Sequence, residues 1–214
     1  MSAYAEILLL LCLVFEALIL FLAIWKRRMS LCYSFFAYLA ITFLTDLAAA
    51  TLKMSPEIER QLYRWDELLG NLVKIILLLE LNSRVFKYYP RVRRSNQFIF
   101  FFACIFFLVY HWLTPQTRVD WWFSMESDLN SKILQANCMV LLFMSGSVLY
   151  YRLHVSTAYK YLLLGFLTSQ FALALGLAVL ATFGESARVP VAYSNTIFFL
   201  IALLVWTRAY LSDS

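Results

Sequence analysis

The sequence is short of charge and of residues that interrupt a helix. Asp, Glu, Lys and Arg make up 14% of its 214 residues, whereas soluble domains carry about 25%. Glycine occurs five times and proline four times. So little charge, among so many apolar residues, excludes a disordered chain, a nucleic-acid-binding module and an ordinary cytosolic enzyme. The scarcity of breaks favours long helices over the alternating segments of a membrane barrel.

Signatures of catalysis and metal binding are missing as well. No G-x-S-x-G, H-E-x-x-H, Walker or G-x-G-x-x-G string occurs. The four cysteines include no C-x-x-C pair, and we expect the two histidines near opposite faces of the membrane. Zinc and haem sites are therefore disfavoured. An enzyme is disfavoured too; the weak alternative is a membrane enzyme acting on lipid or quinone, with His154 beside Arg152.

Apolar residues dominate the chain. Hydrophobic residues make up 63% of it and aromatic residues 18%, and the mean hydropathy is +0.73. Several apolar runs approach the roughly 17–25 residues that cross a bilayer as a helix. We predict an all-α polytopic membrane protein, one domain over 1–214 with seven transmembrane helices. The predicted spans are 5–25, 31–52, 66–88, 97–113, 132–151, 158–182 and 191–211.

The short connections carry an asymmetric charge. Eleven of the 18 lysines and arginines fall on one side of the predicted spans, in 26–28, 84–94, 152–160 and at 208. The positive-inside rule makes that side cytoplasmic, so the amino terminus is expected outside and the carboxyl terminus inside. In the longer loop 114–131 we expect a short amphipathic helix lying on the membrane, with Trp121, Trp122 and Phe123 dipping in.

Three charged residues fall deep within predicted spans, namely Glu16, Asp46 and Lys74. A lone charge at the bilayer centre costs about 2.5–3.5 kcal/mol on insertion scales, so each needs a partner, a proton or water. We predict that Lys74, with Asn71 one turn away, faces the first two helices. Its partner is Glu16 or Asp46, and the contact either fixes packing or forms a functional polar pocket.

Other polar residues in the spans have local explanations. Glu80 and Arg84 are four residues apart in the favourable order, which predicts an ion pair at the inner interface. Gln135 and Gln170, in the fifth and sixth spans, are candidates for lining a ligand site. Small residues four apart, at 165 and 169 and at 172 and 176, favour close helix packing in the sixth span.

Most of the chain resembles, diffusely, a known group of sequences. The segment Glu80–Pro90 is similar to an E-x-F-x-x-h-x-x-Y-P motif, although the spacing differs. A basic turn at 26–28 followed by aromatics, Gln135 and His154 complete the resemblance. The group is a family of seven-helix membrane proteins associated with Acidobacteria, and it has no assigned activity. The resemblance implies the same fold in a bacterial cytoplasmic membrane, and it draws attention to Glu80, Gln135 and His154.

The function expected from these features is non-enzymatic. A retinal protein is disfavoured because the last span has no lysine, and no other cofactor is indicated. We expect a sensor-like module or a subunit of a larger membrane assembly that binds a small molecule, a lipid or a protein. Because the chain ends just after its last predicted helix, a signal would pass to a separate effector. The alternative is a small proton-coupled transporter using Glu16, Asp46 and Lys74.

Overall fold

The computed structural model describes residues 3–52, 56–113 and 121–212. Across these ranges the chain forms seven α-helices and no strand, so the all-α prediction is confirmed. Each predicted span overlaps one helix. The helices are α1 (Ala3–Trp25), α2 (Tyr33–Thr51), α3 (Pro56–Val85), α4 (Pro90–Leu113), α5 (Trp121–Tyr150), α6 (Thr157–Phe183) and α7 (Arg188–Leu211).

Five of the helices are long and apolar enough to cross a membrane. They are α1, α2, α5, α6 and α7, and the apolar stretches are Glu6–Trp25, Tyr33–Thr51, Ile133–Tyr150, Thr157–Phe183 and Arg188–Leu211. The chain is accordingly a multi-pass membrane protein. Helices α3 and α4 are not among the five in the part of the chain that the structure describes. The count of seven crossings stays a prediction.

Two helices extend well beyond the predicted spans. Helix α3 begins at Pro56, ten residues before the predicted start, and α5 begins at Trp121. The separate amphipathic helix expected within 114–131 is therefore wrong from residue 121 onwards. Between Trp121 and Gly146 there is no glycine or proline to end the helix, so the backbone continues unbroken into the apolar run. Residues 114–120 lie outside the described residues, as do the side chains expected to dip into the membrane.

Six helices form a closed ring. Around it, α1 packs against α2, α2 against α3, α3 against α5, α5 against α6, α6 against α7, and α7 back against α1. Helix α4 lies outside the ring against α3 and α5. The α6–α7 pair has the most extensive contact of all. The ring encloses an interior to which all six of its helices contribute buried side chains.

An aromatic layer fills part of this interior; its members are Phe35, Tyr38, Phe166, Trp206 and Tyr210. The ring of Phe35 has its centroid 5.5 Å from that of Phe166 and 5.0 Å from that of Trp206. Trp206 is fully buried, and its indole N–H donates to the Leu162 carbonyl at 3.2 Å. The layer joins α2, α6 and α7.

The aromatic layer depends on a glycine of α6. A Cβ on Gly165 would lie 2.3 Å from Trp206 Nε1, so only glycine leaves room for the indole. About three turns further along, a Cβ on Gly176 would lie 2.9 Å from a methyl carbon of Val191. Both glycines predicted to permit close packing therefore lie where α6 meets α7.

Three turns and the carboxyl end of α7 lie together at one end of the bundle, called here the basic end. The α1–α2 and α5–α6 turns begin alike, with Arg27 at φ 51° and Arg152 at φ 47°. In each, crossed backbone hydrogen bonds close a Schellman motif around the positive-φ residue. The Arg28 guanidinium then donates to the carbonyls of Tyr210 and Ser212. These contacts tie the first turn to the end of the last helix.

Candidate functional site: a buried polar layer in the helix ring

Glu80 anchors a polar cluster at the basic end. Helix α2 begins after Cys32, whose side chain gives the helix no cap. The Glu80 carboxylate of α3 replaces that cap, since it accepts the backbone N–H of Tyr33 at 3.2 Å and that of Ser34 at 2.8 Å. The Ser34 hydroxyl adds a bond of 2.5 Å. A carboxylate at a helix amino terminus satisfies unpaired N–H groups and opposes the positive end of the helix dipole.

The predicted ion pair between Glu80 and Arg84 is confirmed. Arg84 Nη2 lies 2.7 Å from Glu80 Oε1, and Arg84 Nε donates to the same oxygen at 2.7 Å. The guanidinium also donates to the Ser30 carbonyl at 2.6 Å and bonds the Tyr159 side chain of α6. Tyr159 in turn donates to the Leu31 carbonyl at 3.2 Å. We call Ser34, Glu80, Arg84 and Tyr159 the Glu80 cluster. Their hydrogen bonds link α2, α3, α6 and the α1–α2 turn.

Gln170 presents the opposite situation in the middle of α6. Its side chain is 2% exposed. Neither its amide oxygen nor its amide nitrogen has a hydrogen-bond partner among the described residues. A buried polar group without a partner costs about 1–3 kcal/mol, and native proteins have few. Because Gln170 follows Phe166 by one helical turn, it shares the face of α6 that packs on the aromatic layer.

Lys74 of α3 reaches the same region from across the ring. Its ammonium nitrogen lies 5.6 Å from the centroid of the Tyr38 ring, a cation–π distance. The Tyr38 ring lies 5.8 Å from that of Phe166. Asn71, one turn before Lys74, is buried as well. Lys74 therefore faces α2, one of the two helices that the sequence predicted it to face; its approach to α1 stays a prediction.

Two carboxylates approach from the first two helices. Glu16 is fully buried in α1. Cys12, one turn before Glu16, lies within electrostatic range of both Glu16 and Asp46. Which of them pairs with Lys74 stays a prediction.

The depths of these groups agree. At about 1.5 Å of rise per residue, Glu16, Lys74 and Gln170 lie roughly 14, 17 and 20 Å from the basic ends of their helices. We call this set the interior polar layer; its members are Glu16, Asp46, Asn71, Lys74 and Gln170. It lies beyond the aromatic layer as seen from the basic end.

Two candidates from the sequence lie elsewhere. Gln135 is exposed on α5, while its neighbours Leu134 and Ala136 are buried. The structure therefore does not bring it to Gln170. His154 is exposed in the α5–α6 turn, where its backbone N–H donates to the Tyr89 hydroxyl at 3.3 Å. Neither residue belongs to the interior polar layer.

Sequence reasoning missed three buried asparagines, Asn82, Asn96 and Asn137. The Asn82 amide donates to the Arg93 carbonyl at 3.2 Å, and the Ser147 hydroxyl lies 3.5 Å from the Asn96 amide oxygen. For Asn137 a signal was present, because it lies one turn before Leu141 on the buried face of α5. Asn82 and Asn96 thereby connect α4 to α3 and α5.

The interior polar layer offers a cation, two carboxylates and two amides, each of which can both donate and accept. Among the residues that the structure describes there is no group of three or more His, Cys, Asp or Glu side chains able to hold a metal ion. The layer suits an organic molecule that carries hydrogen-bond donors and acceptors. No protein-family model, curated protein or solved structure matches the chain, so these chemical groups are the guide to its role.

Proposed function

We propose that the protein is a seven-helix sensor-like module, or a subunit of a membrane assembly, which binds a small polar molecule in the interior polar layer. It has no catalytic role, and a separate partner protein receives the signal. The observation that carries the proposal is the fully buried Gln170 amide, whose oxygen and nitrogen lack partners among the described residues. A ligand with a donor and an acceptor would satisfy both atoms at once.

The contacts of α6 support a path from the ligand to the partner. Gln170, Phe166 and Tyr159 lie along one helix, in the interior polar layer, the aromatic layer and the Glu80 cluster respectively. By helical rise, Gln170 and Tyr159 are about 17 Å apart. A ligand that draws α1, α2, α3 and α6 together at Gln170 shifts the basic end through this helix. The partner protein then binds the turns of the basic end and responds to their change of position.

The orientation proposed for the module is amino terminus out and carboxyl terminus in, across a bacterial cytoplasmic membrane. Support comes from the clustering of Lys26, Arg27, Arg28, Arg152 and Lys160 at the basic end, which the positive-inside rule makes cytoplasmic. The resemblance to the Acidobacteria-associated family agrees with this membrane.

Native mass spectrometry of the full chain, gently extracted from its own membrane, tests ligand binding. The test variant is Gln170→Leu, and the matched control is Gln135→Leu, since Gln135 is exposed on α5. We expect wild type and control to carry the same small molecule stoichiometrically, and Gln170→Leu to lose it. An unchanged bound mass in Gln170→Leu, or no bound molecule in wild type, would contradict the proposal.

The second candidate function is a small proton-coupled transporter. The electrostatic influence of both Glu16 and Asp46 on Cys12 favours it, because deep carboxylates on neighbouring helices can relay a proton. Carriers usually have broken helices near the midplane, whereas α1, α2 and α6 run unbroken from end to end. Uptake into liposomes driven by a pH gradient and abolished by Asp46→Asn would place this function first.

A further inference from the structure

A groove opens between α5 and α6 at the basic end. It has a volume of about 850 Å³ and runs from the α5–α6 turn along both helices as far as Ser145 and Leu167. Arg152, His154 and Lys160 line its mouth, and all three side chains are exposed. The rest of the wall is mainly leucine and valine. The groove thus pairs a cationic mouth with an apolar body.

The turn that forms the mouth is fixed in place. Along 153–156 the side chains alternate, because Leu153 and Val155 pack against the core while His154 and Ser156 are exposed. The bond from the His154 N–H to the Tyr89 hydroxyl ties the turn to the α3–α4 connection. Arg152 precedes this segment at the positive-φ position of the Schellman motif. Core packing therefore holds the polar side chains of the turn towards the groove.

The mouth carries donors suited to a phosphate. Arg152 and Lys160 supply two positive charges without an acidic residue among the lining groups. Ser156 is the residue before α6, and its hydroxyl makes no cap bond to the helix. The first N–H groups of α6 have no intrahelical acceptor, and they lie at the positive end of the helix dipole. Together these groups complement a phosphodiester.

The body of the groove suits an acyl chain. Leu149, Leu163, Leu164 and Leu167 line it beyond the mouth. From Lys160 to Leu167 the helical rise is about 10 Å, which takes the groove from the headgroup level into the hydrocarbon region. A free inorganic anion would use the mouth and leave this apolar wall unused.

We propose that the α5–α6 groove is a binding site for an anionic phospholipid. The phosphate lies at Arg152, Lys160 and the amino terminus of α6, and one acyl chain follows the leucines towards Leu167. A zwitterionic lipid fits the apolar wall but lacks the net charge that the mouth complements. The site does not depend on the interior polar layer or on its ligand.

The test uses the full chain in detergent, titrated with dioctanoyl phosphatidylglycerol and followed by native mass spectrometry. The test variant is Arg152→Asn/Lys160→Gln, in which Asn tolerates the positive φ at 152. The matched control is Lys26→Gln/Arg27→Asn, which removes equal charge at the corresponding Schellman turn of α1. A third variant, Leu164→Trp, narrows the groove and keeps its charge.

We expect the double variant at 152 and 160 to weaken binding about thirtyfold, or about 2 kcal/mol, because each cation near the surface contributes about 1 kcal/mol. The control should bind as wild type does. Leu164→Trp should weaken the binding of phosphatidylglycerol. Dioctanoyl phosphatidylcholine or inorganic phosphate at the same concentration should not displace phosphatidylglycerol from the wild-type protein. Equal losses in both double variants, or no effect of Leu164→Trp, would overturn the site in favour of general surface charge.

Discussion

Glu80 and Gln170 are both polar side chains held between helices of a membrane protein, yet their surroundings differ. The Glu80 carboxylate accepts bonds from two backbone N–H groups, a hydroxyl and a guanidinium. The Gln170 amide makes none among the described residues. A polar group with all its bonds made stabilises one arrangement of helices, whereas an unsatisfied one raises the free energy of the folded state until something binds. Hydrogen-bond satisfaction therefore separates these two side chains more clearly than charge or depth does.

The largest effect is expected from Glu80→Gln, which removes the acid from the satisfied cluster. A neutral amide has one acceptor oxygen in place of two, so it cannot accept from Tyr33, Ser34 and Arg84 together, and it removes the negative charge from the α2 amino terminus. We expect a loss of about 3 kcal/mol in unfolding free energy, measured by denaturation in detergent micelles. The control is Glu6→Gln, at an exposed glutamate of α1. Equal stability of the two variants would show that the Glu80 cluster contributes little.

Gly165→Ala tests the aromatic layer that separates the two regions. The added methyl would lie 2.3 Å from Trp206 Nε1, so either the indole or α6 must move. Overpacking of this kind costs about 1–3 kcal/mol, and the change should show in thermal unfolding and in Trp fluorescence. Gly146→Ala is the control, since a Cβ there meets nothing within 4 Å. An unshifted melting temperature and emission spectrum in Gly165→Ala would mean that the close approach is not required.

Gln170→Leu is expected to raise the free energy of unfolding, whereas the two preceding substitutions lower it. Leucine has a similar volume and no unsatisfied atoms, so the ligand-free variant should be more stable than wild type by about 1 kcal/mol. Denaturation of protein stripped of ligand measures this directly, with the exposed Gln135→Leu as the control. A destabilised Gln170→Leu would mean that the amide supports the fold, and Gln170 would then join Glu80 as scaffold.

The sequence predicted the helices and the local contacts well because both depend on short-range pattern. Apolar runs located a helix for each of the seven predicted spans, and the four-residue spacing indicated the Glu80–Arg84 pair. The hydrogen bonds from Tyr33 and Ser34 to Glu80 could not be predicted from the sequence, because they join residues more than forty positions apart. Such contacts depend on how α2 and α3 dock, and local periodicity does not encode docking.

Gln135 and Gln170 show which feature of the candidate site could not be predicted from the sequence, namely which polar side chains are buried. Both are single amides in long apolar helices, so their sequence context predicts the same role, lining a ligand site, for each. Gln135 is exposed and Gln170 is buried. Lipid and a neighbouring helix are equally apolar, so hydropathy cannot tell which face of a helix each occupies. The burial of Gln170 becomes clear only when the ring of helices is assembled.

The smallest effect is expected from Arg28→Gln. This variant tests whether, at the basic end, a side chain from one element also caps the end of another helix outside the Glu80 cluster. The Arg28 guanidinium bonds the carbonyls of Tyr210 and Ser212, at the negative end of the α7 dipole. Its loss should cost about 0.5 kcal/mol, too little for a clear change in melting temperature. Faster amide hydrogen exchange confined to the last turn of α7 should reveal it, with the exposed Lys26→Gln as the control. Glu80 caps the amino terminus of α2, and Arg28 caps the carboxyl terminus of α7. If amide hydrogen exchange in α7 is unchanged in Arg28→Gln, then only the Glu80 cluster provides a cap from one element to another.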